Sequence, residues 1–161
     1  MHTKQRKFDR VLTDFFRRNL NLFFVVGISL LTLVIRNEFR GWESGDYLLH
    51  LLPWAEYLES HGGFAGIASG PPNCDYPVTY QYILAFLTYL PGSYLAKLKV
   101  VSVFFDFVSA AFVMLIVREI GGYSKKSYVP WLAYALTLLI PTPILNSAAW
   151  AQSDSIYTAF L

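Results

Sequence analysis

Read for apolar and polar positions, the chain divides into three long apolar runs separated by polar stretches. Residues 20–35 (LNLFFVVGISLLTLVI) fall slightly short of the ~20 residues that cross a bilayer, and flanking residues extend them. Residues 98–117 (LKVVSVFFDFVSAAFVMLIV) are long enough and hold one acid, Asp106. Residues 128–145 (YVPWLAYALTLLIPTPIL) are also long enough but carry three prolines. Each run predicts a membrane-spanning helix. A shorter apolar run, 78–90 (VTYQYILAFLTYL), has the length of an interfacial or re-entrant segment. Pro77 opens it and Pro91-Gly92 closes it. Residues 61–73 (HGGFAGIASGPPN) form a Gly/Pro-rich connector, and 156–161 look like the start of a further span. The expectation is therefore an all-α polytopic membrane bundle that forms the N-terminal part of one larger transmembrane domain.

Composition agrees with a membrane setting: 55% of the residues are hydrophobic and only 15% charged, where a soluble domain carries about a quarter charged. The net charge of +2 matters less than its segregation. Lys4, Arg6, Lys7, Arg10, Arg17 and Arg18 crowd the first nineteen residues, whereas Glu38, Glu43, Asp46, Glu56, Glu59 and Asp75 fall between the first two spans. Short loops rich in Lys/Arg stay cytoplasmic. That rule puts 1–19 and the 118–127 loop inside, the latter with Arg118, Lys125 and Lys126. Residues 36–97 and 146–155 then face outward. Treating 78–90 as a span would turn the 118–127 loop outward, so the run is laid in the outer interface. A cleaved signal peptide is the alternative for 20–35, but Arg36-Asn37-Glu38 follows in place of an A-x-A-like site. The lone Cys74 excludes an internal disulfide.

The outer region opens with GWESGDYLLHLLPWAEYL (41–58), a carboxylate, an imidazole and aromatic rings just outside a span. Residues 46–60 read as a helix with Leu48, Leu51, Leu52, Ala55 and Leu58 on one side and Asp46, His50, Trp54 and Tyr57 on the other. Aromatic faces stack on sugar C–H surfaces, and a carboxylate accepts a proton from a sugar hydroxyl. The plainer reading is that Asp46, after Gly45, caps the helix, with Trp54 and Tyr57 as interfacial-belt aromatics. Farther on, CDYPVTYQY (74–82) contains Asp75-Tyr76-Pro77, and NSAAWAQSDS (146–155) contains Asn146, Trp150, Gln152 and Asp154.

Taken in order, these motifs resemble the N-terminal half of the GT-C integral-membrane glycosyltransferases, most closely the asparagine-linked glycosylation glucosyltransferases and their bacterial relatives. The likeness covers most of 20–161. It implies a fold with juxtamembrane interfacial helices on the outer side. It also implies that Asp46 is the first-loop catalytic carboxylate. Residues 74–82 match an Asp-Tyr-Pro-Pro segment with Val78 for the second proline, and 150–154 match a Trp-Gly-Gln-x-Asp motif with Ala151 for the glycine. That variant points to a bacterial plasma membrane rather than the endoplasmic reticulum.

Such enzymes move a sugar from a polyprenyl-phosphate carrier to an outer-side glycan or lipid-linked acceptor, with inversion. Asp46 is then the general base, with His50, Trp54, Asp75, Tyr76, Trp150, Gln152 and Asp154 as substrate contacts. Arg36, Arg40, Lys97 and Lys99 lie near the outer ends of spans and suit the donor phosphate, or else snorkel to the interface. Asp106 is expected to make a helix–helix hydrogen bond to a Ser or Asn, and Asn146 suits either a site or a C-terminal cap. No cofactor is called for; Asp46, His50 and Asp75 show no metal-ligand spacing, and a divalent metal lacks support. No phosphate-cradling glycine loop for a nucleotide is present. Nucleic acid is not an expected partner; membrane lipids and the rest of the bundle are, and the chain alone is expected to be inactive. Two other readings stand beside the enzyme: a transporter or flippase fragment working through Asp106, and a non-enzymatic membrane subunit.

Overall fold

A computed structural model describes residues 13–124 and 127–160, and the architecture is helical, with no strand among the described residues. The basic positions Lys4, Arg6, Lys7, Arg10, Lys125 and Lys126 lie outside the described residues.

Three apolar runs become three long helical units. Helix α1, Leu20–Asn37, is 18 residues long, about 27 Å at 1.5 Å per residue. Its buried positions are Thr32 and Arg36, while Leu22, Phe23, Val26, Leu30 and Val34 are exposed. The tyrosine-bearing segment Val78–Thr88, by contrast, buries Leu84 and Ala85 fully. Tyr94–Ile120, the 27-residue helix, repeats the inverted pattern of α1. Lys99, Ser102, Asp106 and Ser109, spaced three, four and three apart, are buried, and Val100, Phe104, Phe112 and Ile116 are exposed. Polar stripes inside and bare aliphatic faces outside suit a surrounding of lipid, where apolar burial between helices no longer drives packing. Among the described residues these are the two helices long and apolar enough to cross a membrane.

The third unit is broken. Val129–Leu139 ends because Pro141 pushes Ile140 out of the helical region, to φ −60°, ψ 131°. Pro141–Ile144 resumes and widens into a π-turn over Leu145–Ala149, the two halves meeting at 48°. Taken as one bent unit, the pair brings to three the helical units among the described residues that are long and apolar enough to cross a membrane.

Between the first two long helices the chain builds a cap of short elements. A π-turn at Tyr47–Leu51 leads into Leu52–Ser60, a 3₁₀ turn covers Gly63–Ala68, and Val78–Thr88 follows Pro77. In chain order we label the α-helices α1 (Leu20–Asn37), α2 (Leu52–Ser60), α3 (Val78–Thr88), α4 (Tyr94–Ile120), α5 (Val129–Leu139), α6 (Pro141–Ile144) and α7 (Asp154–Thr158). At 11 residues α3 measures about 16 Å, half a bilayer core. The main core lies under this cap, where Tyr47, Leu51, Trp54 and Leu58 meet Tyr80, Leu84, Leu95 and Leu98. A smaller cluster of Ala110, Tyr134 and Leu138 joins α4 to α5. Gly63 lets the cap close: it has φ +65°, and a Cβ there would collide with the Tyr89 hydroxyl.

The 46–60 helix forms, but its faces differ from the regular spacing. Leu48 is exposed, while Trp54, expected on the polar side, is 4% exposed and in the core. The cause is the π-turn: Leu52 N–H reaches back five residues to the Tyr47 carbonyl. The extra residue rotates everything after it.

Candidate active site

Asp46 does not cap its helix. Ser44 does, its Oγ accepting from Tyr47 N–H at 3.1 Å and its carbonyl from Leu48 N–H at 3.1 Å. Asp46 has helical angles, φ −62°, ψ −38°, and no capping bond. Its side chain is exposed and free to meet the second loop: Gln152 Nε2 donates to Asp46 Oδ2 at 2.5 Å. The other oxygen, Oδ1, has no hydrogen-bond partner among the described residues.

Gln152 is held from behind. Its N–H donates to the Asn146 carbonyl at 2.9 Å and its carbonyl accepts from Ser102 Oγ on α4 at 2.8 Å. Ser44 Oγ also reaches the Trp150 carbonyl at 3.0 Å, a second tie between the loops. The sharp turn that aims Gln152 passes through Ala151, buried, with φ +58°. Both loops carry a π-turn, one beginning just after Asp46 and one carrying Asn146. Such turns recur at functional sites.

Asp46, His50, Trp54, Asp75 and Tyr76 line one pocket of about 180 Å³. Its wall is aromatic: the His50 and Trp54 rings lie 5.5 Å apart, Trp54 and Tyr76 5.3 Å, and Tyr76 and Tyr80 5.0 Å. Trp54 Nε1 donates to the Pro72 carbonyl at 3.3 Å, which fixes the indole. Burial pushes the Tyr76 hydroxyl above its ordinary range, a hydrogen bond with Ser153 opposes this, and the charges of Asp154, Asp46 and Asp75 add to the rise. Tyr76 is therefore a neutral donor beside carboxylates. On the far side of His50 and Trp54 a second hollow of about 390 Å³ continues past Pro53, Tyr57 and Asn73.

The remaining expected contacts separate. Asp154 accepts from Asn146 Nδ2 at 2.5 Å and lines a different chamber, with Asp106. Trp150 is 44% exposed and contributes its backbone carbonyl rather than its ring. Arg36, Arg40 and Lys99 do converge, on an apolar groove of about 560 Å³ between α1 and α4. Within it Lys99 Nζ donates to the Phe39 and Trp42 carbonyls at 2.5 and 2.6 Å. Arg36 is committed: Nη2 and Nε donate to Asp106 Oδ2 at 2.9 and 3.2 Å, and Nη1 to the Leu138 carbonyl and Thr32 Oγ1. Lys97 stands apart, capping α3 through the Leu87 and Leu90 carbonyls at 2.9 and 3.0 Å and covering the Tyr94 ring. Asp106 makes the expected bond to a serine, Ser147 Oγ at 2.5 Å, together with the ion pair to Arg36.

Ser44, Ser102 and Ser147 are positioning residues that the motifs did not single out. The α4 stripe of Lys99, Ser102, Asp106 and Ser109 was legible as one helix face; Ser44 carried only its preference for helix N-caps. Among the described residues no group of three or more His, Cys, Asp or Glu side chains is placed to hold a metal. Compared with family models, curated proteins and solved structures, the chain has no match. Fold and site together define a class: among the described residues, an all-helical architecture with two helices long and apolar enough to cross a membrane and a carboxylate-bearing aromatic pocket beside them.

Proposed function

We propose that the protein is a multi-pass membrane glycosyltransferase of the GT-C kind, taking a sugar from a polyprenyl-phosphate donor and passing it to an outer-side glycan or lipid-linked acceptor. Its spans are α1, α4 and the bent unit from α5 through the second π-turn. The carboxylate pocket lies at the outer surface, of a bacterial plasma membrane on this reading. One observation carries the proposal: Gln152 of the second loop holds Asp46 of the first at 2.5 Å, on the rim of a pocket walled by Trp54 and Tyr76.

In this mechanism Asp46 Oδ1 takes the proton of the acceptor hydroxyl as that oxygen attacks the anomeric carbon. The lipid phosphate leaves from the opposite face, so the configuration inverts. Gln152 keeps Oδ2 fixed and Oδ1 presented. Tyr76 offers its ring to the sugar, backed by the buried Trp54, and His50 and Asp75 lie within reach of its hydroxyls. Of the four cations weighed for the donor phosphate, Arg40 suits it best, because Arg36, Lys97 and Lys99 are already engaged within the fold. The positive φ of Ala151 supports the likeness to a motif with glycine at that place, since a left-handed residue favours glycine.

The test is sugar transfer from a polyprenyl-phosphate donor in membranes containing the protein, wild type against Asp46→Asn. Loss of transfer at equal protein level is the expected result. Undiminished transfer removes Asp46 as the base. Loss through Asp106→Asn with Asp46→Asn tolerated favours transport instead.

A further inference from the structure

The break between α5 and α6 borders a chamber of about 200 Å³, separate from the aromatic pocket. Its chemistry is one-sided. Five hydroxyls line it, and four point their protons at backbone carbonyls: Ser155 at Ser102 (2.9 Å), Thr158 at Asp154 (2.8 Å), Thr137 at Ala133 (2.9 Å) and Ser109 at Ser155 (3.4 Å), while the fifth, Thr142, has no partner among the described residues and can turn a lone pair inward. A hydroxyl whose proton is engaged elsewhere offers only lone pairs. Asp106, 4% exposed, takes all its bonds on Oδ2, leaving Oδ1 without a partner among the described residues. Asn146 gives its amide N–H to Asp154 Oδ2, leaving the amide oxygen and Asp154 Oδ1 as acceptors.

The helix break adds to this. Prolines have no N–H, so Pro141 and Pro143 remove the donors that would close on the Thr137 and Leu139 carbonyls in a continuous helix. The intervening Leu138 carbonyl is satisfied by Thr32 and Arg36. Freed carbonyls at the C-terminal end of a broken helix carry partial negative charge and coordinate cations in membrane proteins. Two carboxylates set against Arg36 leave one net negative charge.

We infer that this chamber binds a small hard monovalent cation, sodium or one of its size, between Asp154, Asn146 and the unpartnered oxygen of Asp106. The oxygen-only lining suits a hard ion, and the single net charge favours a monovalent over a divalent one. The volume accommodates an ion that keeps part of its water. Cation binding at this place stands independently of glycosyl transfer.

The experiment is thermal unfolding of the purified protein in detergent, with sodium chloride exchanged for choline chloride at constant ionic strength. Asp154→Asn, at the exposed mouth, and Pro141→Ala, which restores a donor to the Thr137 carbonyl, are run alongside. Ligand binding to the folded state raises the unfolding temperature in a saturable way. The expected result is a sodium-specific rise whose half-maximal concentration increases about tenfold or more in Asp154→Asn, in line with loss of a charge-assisted contact, and also increases in Pro141→Ala. Equal rises in sodium and choline, no rise, or a sodium rise unchanged in both variants would each overturn the inference.

Discussion

Gln152 and Asp46, 106 residues apart in sequence, are joined by a 2.5 Å hydrogen bond that locks the two loops into one site. The carboxamide donates to one carboxylate oxygen and leaves the other open, so its work is orientation rather than chemistry. Gln152→Ala is expected to lower sugar transfer by about tenfold to a hundredfold, the scale of losses that follow misplacement of a reacting group. Folding should survive, because the Gln152 backbone keeps its bonds to Ser102 and Asn146. Transfer rates at saturating donor, set beside protein levels and unfolding temperature, separate a lost orientation from a lost fold.

Ser44 connects the same loops through a cap. Its Oγ accepts from Tyr47 N–H and donates to the Trp150 carbonyl. Ser44→Ala removes both bonds, and the cap alone contributes about 1 kcal/mol. Denaturant unfolding should report at least that loss, with Ser44→Thr retaining most of the stability. An unchanged midpoint for Ser44→Ala would count against the cap.

How much of this was legible in the sequence depends on whether a feature is local. The apolar runs coincide with α1, α4 and the bent α5 unit because length and composition are properties of contiguous residues. The short α3 was legible for the same reason, between Pro77 and Pro91. The 46–60 helix was legible in extent but not in phase: hydrophobic spacing assumes 3.6 residues per turn, and the π-turn at Tyr47–Leu51 breaks that rule without an evident residue signal. Asp106 was expected to bond a Ser or Asn, yet which serine, and the pairing with Arg36, are set by how α1, α4 and the second π-turn come together. Side chains near span ends, such as Lys97, looked alike in sequence; only packing sends one to α3 and another to the groove.

Ala151 carries a backbone cost that a glycine avoids. At φ +58° its Cβ crowds the chain, a penalty of about 1 kcal/mol for an L-residue. The residue is fully buried, so Ala151→Gly also gives up a methyl contact. The expected net effect is a stability change between zero and about 1 kcal/mol in favour of glycine. Ala151→Val should destabilise clearly, since β-branched residues tolerate that region poorly. Paired unfolding curves in detergent check both signs.

The tyrosines of the cap make it sensitive to alkali. Burial is the main cause raising both Tyr47 and Tyr76 above the ordinary value of 10.0, and Glu43 adds to the first. A folded-state value above the unfolded one means the unfolded chain loses its protons first as pH rises. The contribution is fully present below pH 10 and is lost as pH climbs through the raised values. Unfolding temperature should therefore fall above about pH 10. Tyr76→Phe should reduce that fall, and tyrosinate absorbance should appear together with unfolding.

The Arg36–Asp106 pair is the strictest test of how the helices are held. Both side chains are 3% exposed, and Asp106 Oδ2 takes Arg36 and Ser147 at once. Desolvating two charges offsets much of their attraction, so the intact pair adds little net stability, while removing one partner strands the other. Asp106→Leu and Arg36→Leu should each destabilise by about 3–5 kcal/mol. The double variant should recover most of that, with a coupling of the same order, because the two sites touch. Thr32 and the Leu138 carbonyl then lose the guanidinium but keep their own 3.1 Å bond, so α1 and α5 stay joined. If the double variant is as unstable as the sum of the singles, the pair does not act as a unit. In that case the helices are held by packing around Tyr134 and Leu138.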